Sequence, residues 1–312
     1  MRLTIVGNTV IDLVFPDVSR LPTWPRHTEF TSKNLVLLKR PPVVTLGGNG
    51  ANAAFVAASC GAEVTLVTQL GRDALGTLAT GWLRQAGCRV VPADLADASA
   101  VNVTAANTTH ARATFFYPGL RPRLTGVTPP GGRGALLVCG WPHPPMAEMA
   151  RRFRLLDAAG GLTALDTGPL LGPVWTLAEL RPVLSSLRLL LSNEFELKAI
   201  TRARTLALAV RRMRGYFAGD LVVKRGAAGA LWYPAHEELA SEWPAARVSV
   251  VSTIGAGDAF NGALLAQLCR GAGFPVALRF ANRVAGQAVS SRQGVLGVRG
   301  KIRIPTRRGP SA

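Results

Sequence analysis

The stretch Ser252-Thr253-Ile254-Gly255-Ala256-Gly257-Asp258 runs straight into the apolar segment AFNGALLAQL, and it carries the clearest chemistry in the chain. Small residues at 255–257 let the backbone turn tightly and present successive N–H groups outward. A helix beginning near Asp258 adds its unpaired first-turn amides and the positive end of its dipole. Together these form an anion pocket suited to a phosphoryl group, with a carboxylate at its rim. The natural task of that carboxylate is to accept a proton from a hydroxyl attacking phosphorus. The same spacing also suits Asp258 as a plain helix cap, and the loop alone leaves both readings open.

These residues need a scaffold, and the sequence outlines one. A strand over Leu3–Val6 is closed by Gly7-Asn8, and GGNGANAAFVAASCG, from Gly47 to Gly61, reads as a glycine-rich turn entering an Ala-rich helix. A strand at 64–67 and a helix from about Leu75 to Ala86 follow, with further apolar strands at 136–139, 162–166, 188–191, 220–224 and 229–233. Short apolar strands alternating with helices predict an α/β fold: a doubly wound, mostly parallel sheet with helices on both faces. Two segments stand outside the alternation. Residues 16–45 are rich in proline and turn formers, and residues 100–117 are rich in Val, Thr and aromatics and read as extra strands. The tail beyond Arg303 is expected to fray.

The chain has 312 residues, 48% hydrophobic and 17% charged, which excludes a disordered chain. No window approaches the ~18 uninterrupted apolar residues of a membrane span. The start has a four-residue apolar run and then Asp12, too short for a signal-peptide core, so a cytoplasmic protein is expected. Cys60, Cys88, Cys139 and Cys269 are scattered without CxxC spacing, which argues against a zinc module and for reduced structural thiols. The net charge is +18, and 31 of the 36 basic residues are arginines spread along the chain. That distribution reads as a solvated basic surface that attracts anionic ligands, without a specific nucleic-acid arm.

GGNGANAA (47–54), QLGRDALG (69–76) and IGAGDAFNGALL (254–265), in this order and spacing, resemble the ribokinase-like carbohydrate kinases, the PfkB family. The resemblance implies one kinase domain over 1–312 that moves the γ-phosphoryl group of ATP to a hydroxyl, primary by expectation, of a sugar. It implies that Asp258 is the catalytic base and that Gly255, Ala256 and Gly257 form the anion hole. Asn193 and Glu196 match its Asn-x-x-Glu motif, with Glu196 acting on Mg2+ through water. Lys224, Arg225, Gly226 and Gly229 match the strand–turn–strand bordering ATP, and Asn282 stands beside the adenosine. On the acceptor side, Asp12, read as the end of the first strand, matches the residue gripping substrate hydroxyls, with Gly47, Gly48 and Asn52 beside it.

The resemblance also gives the two outlying segments a place, as a small β-sheet lid from approximately 14–46 and 97–118 that often forms a homodimer contact. Phe30, Phe115, Phe116 and Tyr117 are then candidates to face the substrate or a partner lid. Two positions depart from the family. Asn49 stands where ribokinases often carry Lys, which puts ribose specificity in question. Ser252 stands where the motif usually opens with Asp, a residue that helps hold a monovalent cation in potassium-activated members; weak or absent potassium activation is expected. A nucleoside kinase on the same scaffold is the alternative within the class, and a non-catalytic sugar- or nucleotide-binding protein is the alternative outside it.

Overall fold

The structure is a computed structural model of the chain that describes residues 1–22, 31–108, 112–119, 134–140, 145–168 and 175–302. The expected frayed tail lies outside these residues, as does Phe30.

A nine-stranded sheet forms the centre: β1 (Leu3–Val6), β4 (Val64–Gly71), β5 (Arg89–Ala96), β8 (Ala135–Val138), β9 (Leu162–Asp166), β10 (Leu189–Asn193), β11 (Asp220–Lys224), β12 (Ala230–Tyr233) and β13 (Ser241–Trp243). Their order is β13-β12-β11-β10-β9-β8-β1-β4-β5. All neighbours are parallel except the antiparallel pairs β11–β12 and β12–β13 at one edge.

Side-chain alternation divides the core into two layers, because successive residues of a strand point to opposite faces. Leu3, Ile5, Leu189, Leu191 and Val222 join one buried cluster, which includes α1 (Asn49–Ser59), α2 (Ala74–Gln85), α7 (Ala256–Cys269) and α8 (Phe274–Val289). Val6, Leu190, Leu221 and Val223 join the other, with α3 (Met146–Ala158), α4 (Leu177–Leu184), α5 (Glu194–Thr201) and α6 (Leu206–Arg214). Helix α7 is apolar around nearly its whole circumference, as a helix sandwiched between sheet and neighbouring helices must be. All four cysteines are buried free thiols. Among the described residues, no helix is long and apolar enough to cross a membrane.

A second sheet of four strands, ordered β3-β2-β6-β7, combines β2 (Val10–Phe15), β3 (Val43–Gly47), β6 (Ala100–Ala106) and β7 (Arg112–Tyr117). It corrects one expectation. Asp12 does not end the first strand: β1 stops at Val6, the chain turns through Gly7-Asn8-Thr9, and Asp12 sits within β2 of the small sheet. A continuous apolar run across a short irregular break looks like one strand in sequence. Phe115, Phe116 and Tyr117 lie exposed on the edge strand β7 and do not line the cavity beneath the small sheet.

Candidate active site

Parallel strands deliver their C-terminal ends to one edge of the sheet, and ligands of open α/β sheets bind in the crevice beyond it. Asp166 ends β9, Asn193 ends β10 and Lys224 ends β11. The N-terminus of α7 faces the same edge.

Gly255 caps α7 with φ of +75°, a left-handed conformation that a residue with a Cβ adopts only under strain. Ala256, Gly257 and Asp258 form the first turn, whose amides lack intrahelical acceptors. Asp258 is no helix cap. Its carboxylate is turned onto α1, where Asn49 Nδ2 donates to Oδ1 at 2.8 Å and Asn52 Nδ2 donates to Oδ2 at 2.9 Å. Burial pushes its pKa up against the opposing pull of the Asn52 bond, and the nearby Asp166 charge pushes the same way. The result is a carboxylate oriented by two neutral donors and held more basic than a surface aspartate.

Gly48, with φ of +84°, turns β3 into α1 and so delivers Asn49 and Asn52. Asn8 fixes that turn: its side-chain oxygen accepts from the Asn49 amide at 3.0 Å. Asp12 pairs with Asn102 in the strand register, and Asn102 Nδ2 donates to Asp12 Oδ1 at 3.0 Å. Burial raises the Asp12 pKa to about 6; the Asn102 bond opposes this and the Asp258 charge adds to it. A Cβ on Gly47 would fall on the Asp12 carboxyl group, so glycine here leaves that carboxyl its place. Between the small sheet and the core lies a cavity of about 830 Å3, which reaches Asn52. Asn52 spends its donor on Asp258, while its buried Oδ1 has no partner among the described residues.

The other half of the site is built around Lys224. Its Nζ donates to Asp166 Oδ1 at 2.8 Å and to Asn261 Oδ1 at 3.1 Å. Burial pulls the Lys224 pKa down, but Asp166 and Glu196 together push it above the ordinary lysine value. Glu196 Oε2 accepts from Thr167 Oγ1 at 2.9 Å and from the Asn193 amide at 3.1 Å, while Asn193 Oδ1 takes the Glu196 amide at 2.8 Å. This is a reciprocal capping box at the start of α5. Burial and then Asp166 raise the Glu196 pKa against the pull of Lys224. Lys224 also approaches the anion turn: a Cβ on Gly257 would lie 3.6 Å from its Nζ.

The remaining candidates lie further out. Arg225 pairs with Glu242 of β13 at 3.6 Å. Gly226 has open space where a Cβ would stand, whereas a Cβ on Gly229 would strike the Trp243 carbonyl. Asn282 donates to that carbonyl at 2.9 Å and lines a cavity of about 390 Å3 with Trp243 and Arg279, whose guanidinium carbon lies 5.3 Å from the Trp243 ring centre. Sequence reasoning missed Asp166, Asn102, Asn261 and the contact of Asn49 with Asp258. For Asp166 a signal existed: it is the last residue of the apolar strand LTALD, where a carboxylate reaches the ligand edge.

A doubly wound sheet with a small β lid and a glycine turn opening a buried helix defines a ribokinase-like fold. Residues 2–298 match the pfkB family of carbohydrate kinases, and the chain belongs to that family. It is 27% identical to a cytidine kinase of Thermococcus kodakarensis over 284 residues, covering 87% of this chain and 90% of the relative. Among solved structures it superposes on an Arabidopsis thaliana ribokinase complexed with ribose and ATP, with a TM-score of 0.75, 21% identity and coverage of 94% of each chain. An adenosine kinase from Sinorhizobium meliloti gives 0.76 at 17% identity, covering 93% of this chain and 94% of that one.

Proposed function

We propose that this member of the family transfers the γ-phosphoryl group of ATP to a hydroxyl, primary by expectation, of a sugar or sugar-like acceptor. The observation that carries the reading is the double clamp on Asp258. Two amides aim a buried carboxylate of raised basicity beside a turn of unpaired N–H groups. The acceptor hydroxyl gives its proton to Asp258 as its oxygen bonds to phosphorus and the bond to the ADP oxygen breaks. First-turn amides of Gly257 and Asp258, with Gly255 and Ala256 shaping the turn, stabilise charge on the phosphoryl oxygens. Asp12 and Oδ1 of Asn52 accept hydrogen bonds from acceptor hydroxyls. Lys224 stands near enough to the turn to meet the transferring group.

Asp166 and Glu196 offer the hard oxygen donors that magnesium prefers while keeping several waters, so the donor set fits Mg2+ held by Glu196 through water. Bound there with ATP, the ion would neutralise phosphate charge. Gly226 leaves room for the nucleotide, Asn282 lies beside the adenosine, and the motif resemblance gives Asn193, Arg225 and Gly229 to the same border.

A nucleoside acceptor is the second reading, favoured by the cavity of about 830 Å3, which leaves room beyond a monosaccharide. We further propose that the protein works in the cytoplasm, with the exposed β7 edge as a contact to a second copy. The test is ADP release across pentoses, hexoses, sugar acids and nucleosides, repeated with Asp258→Asn. Turnover should fall by at least ~10²-fold in the variant while ATP binding, read by calorimetry, persists. Near-normal turnover removes the general-base assignment; a non-catalytic binding protein would release no ADP with any acceptor.

A further inference from the structure

We propose that the acceptor carries an anionic group, phosphate or carboxylate, held in the cavity by Arg40, Arg112 and Arg292; this rests on the kinase reading above. The cavity lining combines two kinds of chemistry. It reaches Asn52, which is bonded to Asp258 and belongs to hydroxyl chemistry. It also carries three guanidinium groups from three separate segments: the loop before β3, the first residue of β7, and the loop after α8.

The acidic side chains there do not cancel this charge. Asp17 is the sole carboxylate among the described residues lining the cavity, and it is ion-paired with Arg40 at 3.0 Å. Arg112 reaches across from the small sheet and donates through Nη2 to Thr253 Oγ1 at 2.6 Å, directly ahead of the anion turn. A guanidinium has five N–H donors, so that bond leaves Arg112 most of its capacity. Arg292 makes no hydrogen bond or ion pair among the described residues. The lining therefore holds two guanidinium charges beyond its one Arg40–Asp17 pair. Planar guanidinium forks match the oxygens of phosphate and carboxylate and form the stronger, charge-assisted class of hydrogen bond.

Arginines are spread along the chain, but these three line one concave space that also reaches Asn52, the partner of Asp258. An acceptor that fits this lining carries both a hydroxyl and an anion, as a monosaccharide monophosphate or a sugar acid does. A neutral nucleoside would instead set its base among guanidinium groups.

The experiment compares kcat/KM for a ketohexose, its 1- and 6-monophosphates, an aldonic acid and cytidine. Wild type is measured beside Arg292→Ala, Arg40→Ala and a remote control, Arg211→Ala, on an exposed face of α6. An anionic acceptor should exceed its neutral parent by about 10- to 100-fold, the range expected for hydrogen bonds to a charged group. The ratio should fall by about tenfold in Arg292→Ala and stay unchanged in Arg211→Ala. The phosphate and aldonate arms distinguish the two anions. Equal or better use of the neutral hexose or cytidine overturns the proposal, as does a ratio that Arg292→Ala leaves intact. If no acceptor yields ADP, the kinase reading fails instead. Calorimetric binding of the hexose monophosphates and the aldonate then decides the anion seat by itself: weaker binding in Arg292→Ala upholds it, and equal or absent binding removes it.

Discussion

On the acceptor side, Asp12 and Asp258 take their side-chain hydrogen bonds from the amides of Asn102, Asn49 and Asn52. On the donor side, Asp166 accepts from the ammonium of Lys224, which also feels the Glu196 charge, while Thr167 Oγ1 and the Asn193 amide both donate to Glu196 Oε2. All four carboxylates are buried. Their neighbours assign them different work. An amide orients a carboxylate without neutralising it, so burial keeps Asp12 and Asp258 ready to take protons or hydroxyl hydrogen bonds. On the donor side a buried cation pairs with Asp166 and opposes the rise that burial and Asp166 impose on the Glu196 pKa, which suits holding charge in place near polyphosphate.

The sharpest way to break this contrast is Lys224→Met. Removing one partner of a buried ion pair strands the other, at a cost of about 3–5 kcal/mol. The urea midpoint should drop accordingly, and adding Asp166→Asn in the same chain should recover much of the loss. A change below ~1 kcal/mol would mean that Lys224 does not neutralise the donor side.

Asp12→Ala probes the opposite half. Acceptor kcat/KM should fall by about 2–4 kcal/mol in transition-state terms, with ATP affinity unchanged. Collapse of ATP binding with acceptor use intact would reverse the two sides. The raised pKa adds a pH signature. Asp12 titrates at about 6 in the folded chain against 3.8 as an ordinary carboxyl, so the folded state holds its proton more firmly. The stability gained from that proton is complete below about 3.8 and is lost as pH rises through about 6. Binding of hydroxyls runs the other way, because only the ionised form is a full acceptor, and acceptor kcat/KM should fall as pH drops through that range. Asn102→Ala, which removes the bond opposing the shift, should move this limb to higher pH. An unmoved limb assigns it to another group.

How much of this was readable in the sequence follows the same division. The apolar alternation in LTIV, LLLSN and DLVVK announced the parallel sheet, and the glycine turns announced Asp258 and the start of α1. Those signals are local: period, turn residues and helix entry lie within a dozen positions. Asn102 was not legible as a site residue, and Asp166 only as a carboxylate closing an apolar strand, because their partners come from register and strand order. Asn102 matters because β6 lies beside β2, and Asp166 because β9 ends beside Lys224 of β11 across β10. Asn49 was read through a departure from ribokinases, while its bond to Asp258 spans 209 positions. Arg225 and Gly229 show the same limit: motif spacing assigns them to the nucleotide border, while their own contacts, Arg225 with Glu242 and Gly229 against the Trp243 carbonyl, are not written in that spacing.

The smallest expected effect concerns potassium, and it asks whether the acceptor side tolerates a second cation. In Asp-opened motifs the first carboxylate contributes charge toward a monovalent ion beside the anion hole; here Ser252 occupies that place. Its hydroxyl oxygen accepts a hydrogen bond from the Ile254 amide at 3.3 Å, so even this weaker oxygen is engaged locally. Arg292 lines the same cavity as Ser252, Thr253 and Ile254, and its positive charge repels an incoming cation. Potassium favours oxygen ligands, and the loop carbonyls alone must then overcome a guanidinium. The expected result is a kcat/KM in potassium chloride within about twofold of that in tetramethylammonium chloride at equal ionic strength, a match required because salt screens a chain of net charge +18. A rise of tenfold or more would mean that carbonyl oxygens outweigh Arg292. Ser252→Asp then separates the causes: if the missing carboxylate is what silences the ion, this variant should gain potassium dependence while Asp258 and its two asparagines continue to carry the proton transfer.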